Sequence, residues 1–389
     1  MTREGPLACV IGSMDLVRPL GLAGIHSAVV VAPDDVAVHS RFTRAVVPLA
    51  DPARETELLL DRLMAFAETQ SEPPVLFYGN DANLLFVSRQ RERLRQAFRF
   101  VVADAPLVEN LVDKARFSDL ARRLELPAPA SSVLATSTVS PEEVGLRFPL
   151  VVKPRARGRG NWSAVAGGAK ALRVDAPDEL RRLWPRLARE QLEVTVQELV
   201  PGPEARVESY HVYVDAAGEV AGEFTGRKIR TSPRAYGETT ALEITAERDV
   251  VELGREVVQR IGLRGVAKLD FKRDDTDRLH LLEVNARFNL WHHPGAKAGV
   301  NLPALVYGDL VGLPRPLPQP ARPGVRWIYH THDARAAHRD GVPMRRWIPW
   351  AVSCEAKSIV SLDDPLPMVM GALMRIGAAV GLGPRAKTR

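Results

Sequence analysis

The texture of this chain changes near residue 130, and that change restricts its fold more than any other feature. Before it, short apolar runs alternate with helical segments. Leu7–Gly12, Ala28–Ala32, Val46–Leu49, Val75–Tyr78 and Phe100–Val102 read as strands, with helices at Glu55–Glu68 and Asn83–Phe98 between them. Strands separated by helices predict a parallel sheet covered on both faces. The turn Ile11-Gly12-Ser13 lacks the GxGxxG pattern, so the dinucleotide fingerprint is absent.

Beyond a connection formed by Pro127–Pro129 and the Ser/Thr run Ser131–Ser140, strands follow one another more closely. Pro149–Pro154 reads as a strand, Arg155–Asn161 as a polar loop and Ser163–Val165 as the return strand of a hairpin. A helix at Ala176–Glu190 and a strand at Val194–Val200 come next. Glu208–Val214 and Val220–Arg230 have antiparallel alternation, a helix spans Ala246–Ile261, and Gly265–Lys272 and Leu279–Asn285 close the series. The expectation is an α/β domain with a parallel sheet followed by α+β lobes. At 389 residues the chain is too long for one core, so two or three packed domains are expected. Leu313–Pro323 carries five prolines and reads as an extended linker. Pro365–Gly383 is apolar but broken by Arg375 and glycines, short of the ~20 apolar residues of a membrane span. That leaves a packed helix or one lying on a membrane surface.

Composition narrows the function classes. Hydrophobic residues at 46% and charged residues at 26% are those of a globular protein. Cys9 and Cys354 cannot form a disulfide framework, and no zinc spacing occurs, so a cytoplasmic setting is expected. The N-terminus lacks a signal-peptide pattern. The net charge of +6 is spread without an aromatic-interleaved basic stripe, so no nucleic-acid partner is expected. A basic excess instead suits anionic small molecules. Only nine of the 53 basic residues are lysines, and Lys114, Lys153, Lys228 and Lys268 all fall within the motifs below. Lysine supplies a compact ammonium that arginine's planar fork does not imitate at a tight phosphate site.

The strongest constellation is Lys268-Leu-Asp270-Phe with Leu281-Leu-Glu283-Val-Asn285-Ala-Arg287. Alternate residues of a strand share a face, so Lys268 and Asp270 point one way, as do Glu283, Asn285 and Arg287. Leu269, Phe271, Leu282 and Val284 are left for a core. Two carboxylates and an amide oxygen on one surface are the hard donors Mg²⁺ accepts. A second cluster is Val151-Val-Lys153-Pro154 followed by the Arg/Gly loop through Asn161, where glycines let backbone N–H groups approach phosphates. The third, Gln197–Glu204, runs a strand into Pro-Gly-Pro and suits a hinge whose backbone meets a nucleobase.

The order of these motifs, with Asp113-Lys114 and Leu126-Pro-Ala-Pro129 ahead of them, resembles the ATP-grasp superfamily over residues 5–310. Ser40-Arg41-Phe42 and Tyr78-Gly79-Asn80-Asp81 are most similar to bacterial carboxylate–amine ligases related to D-aspartate ligase. The resemblance implies a pre-ATP-grasp domain at 1–113, a small lobe with its linking helix at 114–199, a large lobe with the metal site at 200–312, and a linker and extension at 313–389. It implies that Lys114 and Lys153 hold the phosphates of ATP beneath a loop containing Arg157, Gly158, Gly160 and Ser163. Gln197, Glu198, Leu199 and Val200 would meet adenine and Glu204 the ribose. Asp270, Glu283 and Asn285 would bind two Mg²⁺ ions, with Lys268 facing the phosphoryl group. Arg287 would stabilise the acyl phosphate and the tetrahedral intermediate. Two departures from the pattern are Ala286, where proline is frequent, and the unusually basic loop, which points to an anionic substrate.

The implied substrates are a small carboxylate and an amine, and a homodimer stays open. Lys228 and Arg230, read as sharing a strand face, either grip a carboxylate or form a solvated basic strand. Trp291, His292 and His293 either line the acceptor pocket, with a histidine taking the amine's proton, or simply pack. Two other outcomes remain on this fold: phosphorylation or carboxylation of a small molecule, and a non-catalytic nucleotide-binding module.

Overall fold

The computed structural model describes residues 5–155, 161–234 and 237–379, without the side chains of Glu204 and 376–379. Three sheets organise them. The first contains β1 (Ala8–Ile11), β2 (Ser27–Val31), β3 (Thr43–Pro48) and β4 (Val75–Tyr78), ordered β3-β2-β1-β4 with every pair parallel. β1, β2 and β4 are buried throughout, as a parallel strand covered on both faces must be. The expected fifth strand at 100–102 does not form. Its neighbour Arg99 makes a single parallel bridge to Val75, and the Tyr78 hydroxyl donates to the Val101 carbonyl at 2.8 Å. The helix expected over Asn83–Phe98 is broken at Gln90 into Asp81–Arg89 and Arg91–Leu94.

The second sheet contains β5 (Ser131–Ala135), β6 (Leu150–Pro154), β7 (Leu172–Val174) and β8 (Glu193–Glu198), antiparallel in the order β5-β8-β6-β7. The Ser/Thr run expected as a connection thus supplies an edge strand. Ser163–Val165 is not the return strand of a hairpin. It lies in a helix, Trp162–Ala166, whose end is fixed by left-handed Gly167 and by the Trp162 indole donating to the Ala169 carbonyl at 2.7 Å. The return strand is therefore delayed to β7. Leu150, Val152, Val194 and Val196 pack with Trp184 and Leu187 of helix Pro177–Arg189, a core separate from the rest.

The third sheet contains β9 (Val207–Val214), β10 (Val220–Ser232), β11 (Glu238–Thr245), β12 (Gly265–Arg273), β13 (Leu279–Asn285), β14 (Arg326–Ile328) and β15 (Ala356–Lys357). Its order is β13-β12-β9-β10-β11-β14-β15, antiparallel except for the last pair. Helix Arg248–Arg260 covers one face through Val250, Val257 and Val258. Residues 313–323 form neither helix nor strand and are mostly exposed, as the prolines predict. After them the chain returns to add β14 to the edge at β11. The architecture is the expected parallel α/β unit followed by two α+β lobes.

Candidate functional site

In the β12–β13 ladder Lys268 pairs with Asn285 and Asp270 with Glu283, the juxtaposition that strand alternation predicts. Just beyond, Phe271 pairs with Leu281, so Leu282 is an extra residue on β13. Such a bulge reverses the alternation. Leu281 enters the core, while Leu282, expected there, lines a cavity of about 830 Å³ between the second and third sheets.

Lys153 and Gln197 line this cavity from the second sheet, on the face opposite the Leu150/Val152 core, with the Lys153 ammonium donating to Gln197 Oε1 at 3.0 Å. Lys114 opens helix Lys114–Arg123, capped by Asp113, and its ammonium donates to the Pro154 carbonyl at 2.9 Å. Ser163, Leu199 and Val200 also line the cavity. Glu198 does too, although its carboxylate is turned to the Arg147 backbone N–H and guanidinium at 3.1 and 2.9 Å. Arg157, Gly158, Gly160 and the Glu204 side chain lie outside the described residues.

Asp270 is only 2% exposed. The Lys268 ammonium lies 2.5 Å from Oδ2, Lys228 lies 4.0 Å from it, and the Ser209 hydroxyl donates to Oδ1. Burial alone would raise the Asp270 pKa, but these ammoniums and the hydroxyl hold it below the usual carboxylate range. Burial lowers the pKa of Lys268, opposed by Asp270, and of Lys153, opposed by Glu283. Glu283 is exposed to the cavity and accepts from Asn285 Nδ2 at 3.1 Å. Arg287 donates to Asn285 Oδ1 at 3.3 Å, to Asp81 Oδ1 at 2.5 Å and to the Gly79 carbonyl at 3.4 Å. The end of β4 thereby clamps Arg287 from the first domain.

No group of three His, Cys, Asp or Glu converges to hold a metal among the described residues. The donor set is instead two carboxylates and an amide oxygen on facing strands, a partial shell of hard oxygens. That fits Mg²⁺, which keeps waters and phosphate oxygens in its octahedron.

The residues read as substrate contacts separate. A register shift between Lys228 and Arg230 inserts Ile229 as an extra residue on β10. Lys228 therefore faces Asp270 and the cavity, while Arg230 emerges on the other face and pairs with Asp333 at 2.8 and 2.6 Å. The expectation of a shared face fails because a bulge breaks the period of two. Trp291 lines the cavity, packed so closely over β10 that a Cβ on Gly226 would lie 2.6 Å from its ring. His292 and His293 open helix His292–Lys297 and are buried behind it, at 0% and 4% exposed. Burial pushes both imidazoles down to about 3, so they are neutral at physiological pH.

Lys272 and Asp15 are among the lining residues that escaped the sequence reading. Lys272 continues the Lys268/Asp270 alternation and was findable from it. Asp15 follows the turn after β1, and its Oδ1 is buried without a hydrogen-bond partner among the described residues. Burial pushes its carboxyl up to about 7, against the opposing charge of Arg18. The available signal was positional: ligands gather at the carboxyl ends of parallel strands.

Comparison with known proteins bears on the family and the fold. The sequence model of the family described as "ATP-grasp in the biosynthetic pathway with Ter operon" matches residues 195–332, the stretch that carries Lys228, Lys268, Asp270, Glu283, Asn285 and Arg287. D-aspartate ligase of Enterococcus faecium is 22% identical over 300 residues, 75% of this chain and 69% of that one. The chain has the ATP-grasp fold, and residues 195–332 match an ATP-grasp family model. D-alanine–D-alanine ligase of Pseudomonas putida (strain GB-1) is 26% identical over 214 residues, covering 51% of this chain and 62% of that ligase, less than two thirds of its length. The same ATP-grasp fold is found in an L-amino acid ligase from Bacillus licheniformis, with a TM-score of 0.59, 17% identity, and coverage of 80% and 75% of the two chains. A biotin carboxylase from Campylobacter jejuni shares it as well, with a TM-score of 0.59, 17% identity, and coverage of 81% and 73%.

Proposed function

We propose that this protein of ATP-grasp fold is an ATP-dependent ligase that joins a small carboxylate to an amine through an acyl phosphate, releasing ADP and phosphate. The observation that carries the reading is the cavity between two sheets. One wall presents lysines and a hinge strand, and the facing wall presents Asp270, Glu283, Asn285 and Arg287. Lys114 and Lys153 hold the phosphates, and the 198–200 backbone meets the base. Asp270, Glu283 and Asn285 would hold two Mg²⁺ ions, which offset the charge of the β- and γ-phosphates when bound.

In this reading a substrate carboxylate oxygen attacks the γ-phosphorus in line and ADP departs. Lys268 and Lys228, poised around Asp270, face the transferring group and stabilise the charge that spreads over it. The acyl phosphate is protected from water by the enclosing lobes. The amine then attacks the carbonyl, the oxyanion is held by the Arg287 guanidinium, and phosphate leaves. Asp81 and Asn285 fix that guanidinium so that no reorganisation is needed as charge develops. His292 and His293, buried and neutral, pack behind Trp291, and Asp15 is the ionisable group placed to meet the amine. The carboxylases and carboxyaminoimidazole synthetases that share the fold make carboxyphosphate chemistry the competing reading.

The test is substrate-dependent ADP release, screened over pairs of amino acids and with bicarbonate as the alternative acid. An amide product with release independent of bicarbonate is expected. Glu283→Gln is expected to abolish release while leaving the circular dichroism spectrum unchanged. An undiminished rate in that variant would sink the assignment.

A further inference from the structure

Helix Leu366–Ala379 departs from the pattern of a surface helix, which turns polar residues to water. Its 14 residues contain one charged side chain, Arg375, and no other polar one. Pro367 and Gly371 are turned inward, with Gly371 so near Val36 that a Cβ there would lie 3.2 Å from that side chain. Leu366, Val369 and Leu373 follow the i, i+3, i+7 spacing of one helix face. That face is turned out, with Leu366 and Leu373 57% and 54% exposed.

Helix Met344–Ser353 repeats the pattern. Met344, Ile348 and Val352 share a face at i, i+4, i+8 and are all exposed, while Trp347 and Ala351 pack inward. Val352, 70% exposed, and Leu362, 92% exposed, line one cavity of about 440 Å³ with Leu22 and Phe42, which links this stripe to the approach of the other. The charges of that cavity balance, Arg18, Lys297 and Lys357 against Glu355, Asp363 and Asp364. It therefore extends the apolar surface without adding a net charge. Apolar surface gathered in this way marks a site of interaction.

Charge distinguishes between the occupants such a surface could have. Between Leu366 and Arg389 the sequence holds Arg375, Arg385, Lys387 and Arg389 and no Asp or Glu. Helix Met344–Ser353 adds exposed Arg345 and Arg346, again without an acid. On the packed side, Asp34 and Asp35 precede Val36 and Arg41 follows it. Asp363 and Asp364 already act on Arg18, and Asp363 on Lys297 as well. The balance along the two apolar stripes is positive. A second copy of the chain, docking through the same face about a two-fold axis, would bring these like charges together. An anionic bilayer instead offers hydrocarbon to the leucines and phosphates to the basic residues. Fourteen residues of helix span about 21 Å, short of the ~30 Å of bilayer hydrocarbon. No helix among the described residues is long and apolar enough to cross a membrane, so the helix would lie in the plane of the interface.

We infer that the surface formed by helices Met344–Ser353 and Leu366–Ala379 docks on an anionic lipid bilayer. Leu366, Val369 and Leu373 enter the boundary between headgroups and acyl chains, and the basic residues around them meet the lipid phosphates. The inference does not rest on the ligase reading, since none of these side chains lines the ATP cavity.

The test is sedimentation of the full chain with vesicles made of equal parts phosphatidylglycerol and phosphatidylcholine, with pure phosphatidylcholine vesicles as the control. Binding to the mixed vesicles is expected, and at least about tenfold weaker binding to the neutral ones. The double variant Leu366→Gln, Leu373→Gln alters only exposed positions, so its circular dichroism spectrum should match wild type while its binding to mixed vesicles falls about tenfold or more. Neutralising Arg375, Arg385, Lys387 and Arg389 to Gln should remove most of the preference for the anionic vesicles. If the double variant does not fold, Val369→Gln carries the same expectation of weakened binding. The proposal would be overturned by absence of binding to mixed vesicles, by equal binding to both vesicle types, or by undiminished binding of the folded double variant. A lipid-free dimer in analytical ultracentrifugation that the double variant dissociates would overturn it too, by making a second copy the occupant.

Discussion

Lys228 and Arg230 stand two positions apart on β10 and meet aspartates in opposite surroundings. Arg230 is sealed: its fork is bidentate on Asp333, which is 0% exposed and also accepts from the Thr240 hydroxyl and the Trp347 indole, both at 2.8 Å. The Trp350 ring lies 4.2 Å from the guanidinium carbon. Every lone pair is used, and nothing is left for a ligand. Lys228 instead faces a cavity. Three lysines, Lys153, Lys228 and Lys268, converge on a cavity where Asp270 meets Lys268 directly and Lys228 only at 4.0 Å. A saturated ion pair holds structure, whereas a surplus of one sign beside a cavity awaits a charged partner.

The sharpest way to break this contrast is Asp333→Ala. Removing one partner of a buried pair strands the other charge, so a loss of about 3–5 kcal/mol in urea unfolding is expected. The folded fraction should keep its nucleotide affinity. A loss below about 1 kcal/mol would show that the sealed cluster is not what anchors helix His330–Arg339 to the sheet. The converse variant, Lys228→Met, keeps the stem and removes the charge. It should change stability by less than about 1 kcal/mol and slow ADP release about 10–100-fold. If the two variants exchanged their effects, the division of labour on β10 would be reversed.

What the sequence made legible follows the same line. Alternation placed Lys268, Asp270, Glu283 and Asn285 correctly because β12 and β13 are regular up to Asp270. It failed at Leu282 and at Arg230 for one reason: a single extra residue flips every side chain beyond it, and a bulge has no composition signal. The parallel sheet was readable because buried strands are continuous apolar runs, while the helix at Trp162 was hidden in a segment too short for periodicity. Asp333 was unreadable for a further reason. Its value lies in partners 93 and 103 residues away in the chain, and only the fold supplies them.

The buried histidines test the contrast from the other side, since they are polar groups that are neither paired nor exposed. His211 stacks on Phe224 at 4.5 Å between ring centroids, and the nitrogens of His211 and His292 have no partners among the described residues. Burial holds His292 and His293 near 3, whereas an unfolded histidine titrates near 6.5. Between those values the unfolded chain binds protons that the folded one refuses, so stability should fall as pH drops through that window. At pH 5 the loss relative to pH 7 should be about 1–2 kcal/mol per histidine. His292→Phe should remove about half of the slope that these two histidines create. An unchanged slope in chemical unfolding at the two pH values would mean that His292 finds a partner on protonation.

Asp15 gives the most discriminating effect, because it is the open counterpart of Asp333: one carboxylate satisfied four times over, the other with an oxygen that has no partner among the described residues. Its pKa near 7 lies above the unfolded value, so the folded state keeps a proton that the unfolded chain has released. The sign is therefore opposite to that of a paired carboxylate. Wild type should lose stability as pH rises from about 4 to about 7, and Asp15→Asn should be more stable than wild type at pH 8, by up to about 4 kcal/mol for a shift of that size, but not at pH 4. Catalysis should move the other way. If the ionised carboxylate meets the substrate ammonium, the KM for the amine should rise below pH 7 in wild type. In Asp15→Asn it should be raised at every pH, with kcat little changed. A variant more stable at pH 8 with an unaltered amine KM would make Asp15 a wall residue and move amine recognition elsewhere in the cavity. A variant that loses both stability and amine binding would place Asp15 with Asp333, among the groups whose charge the fold has already used.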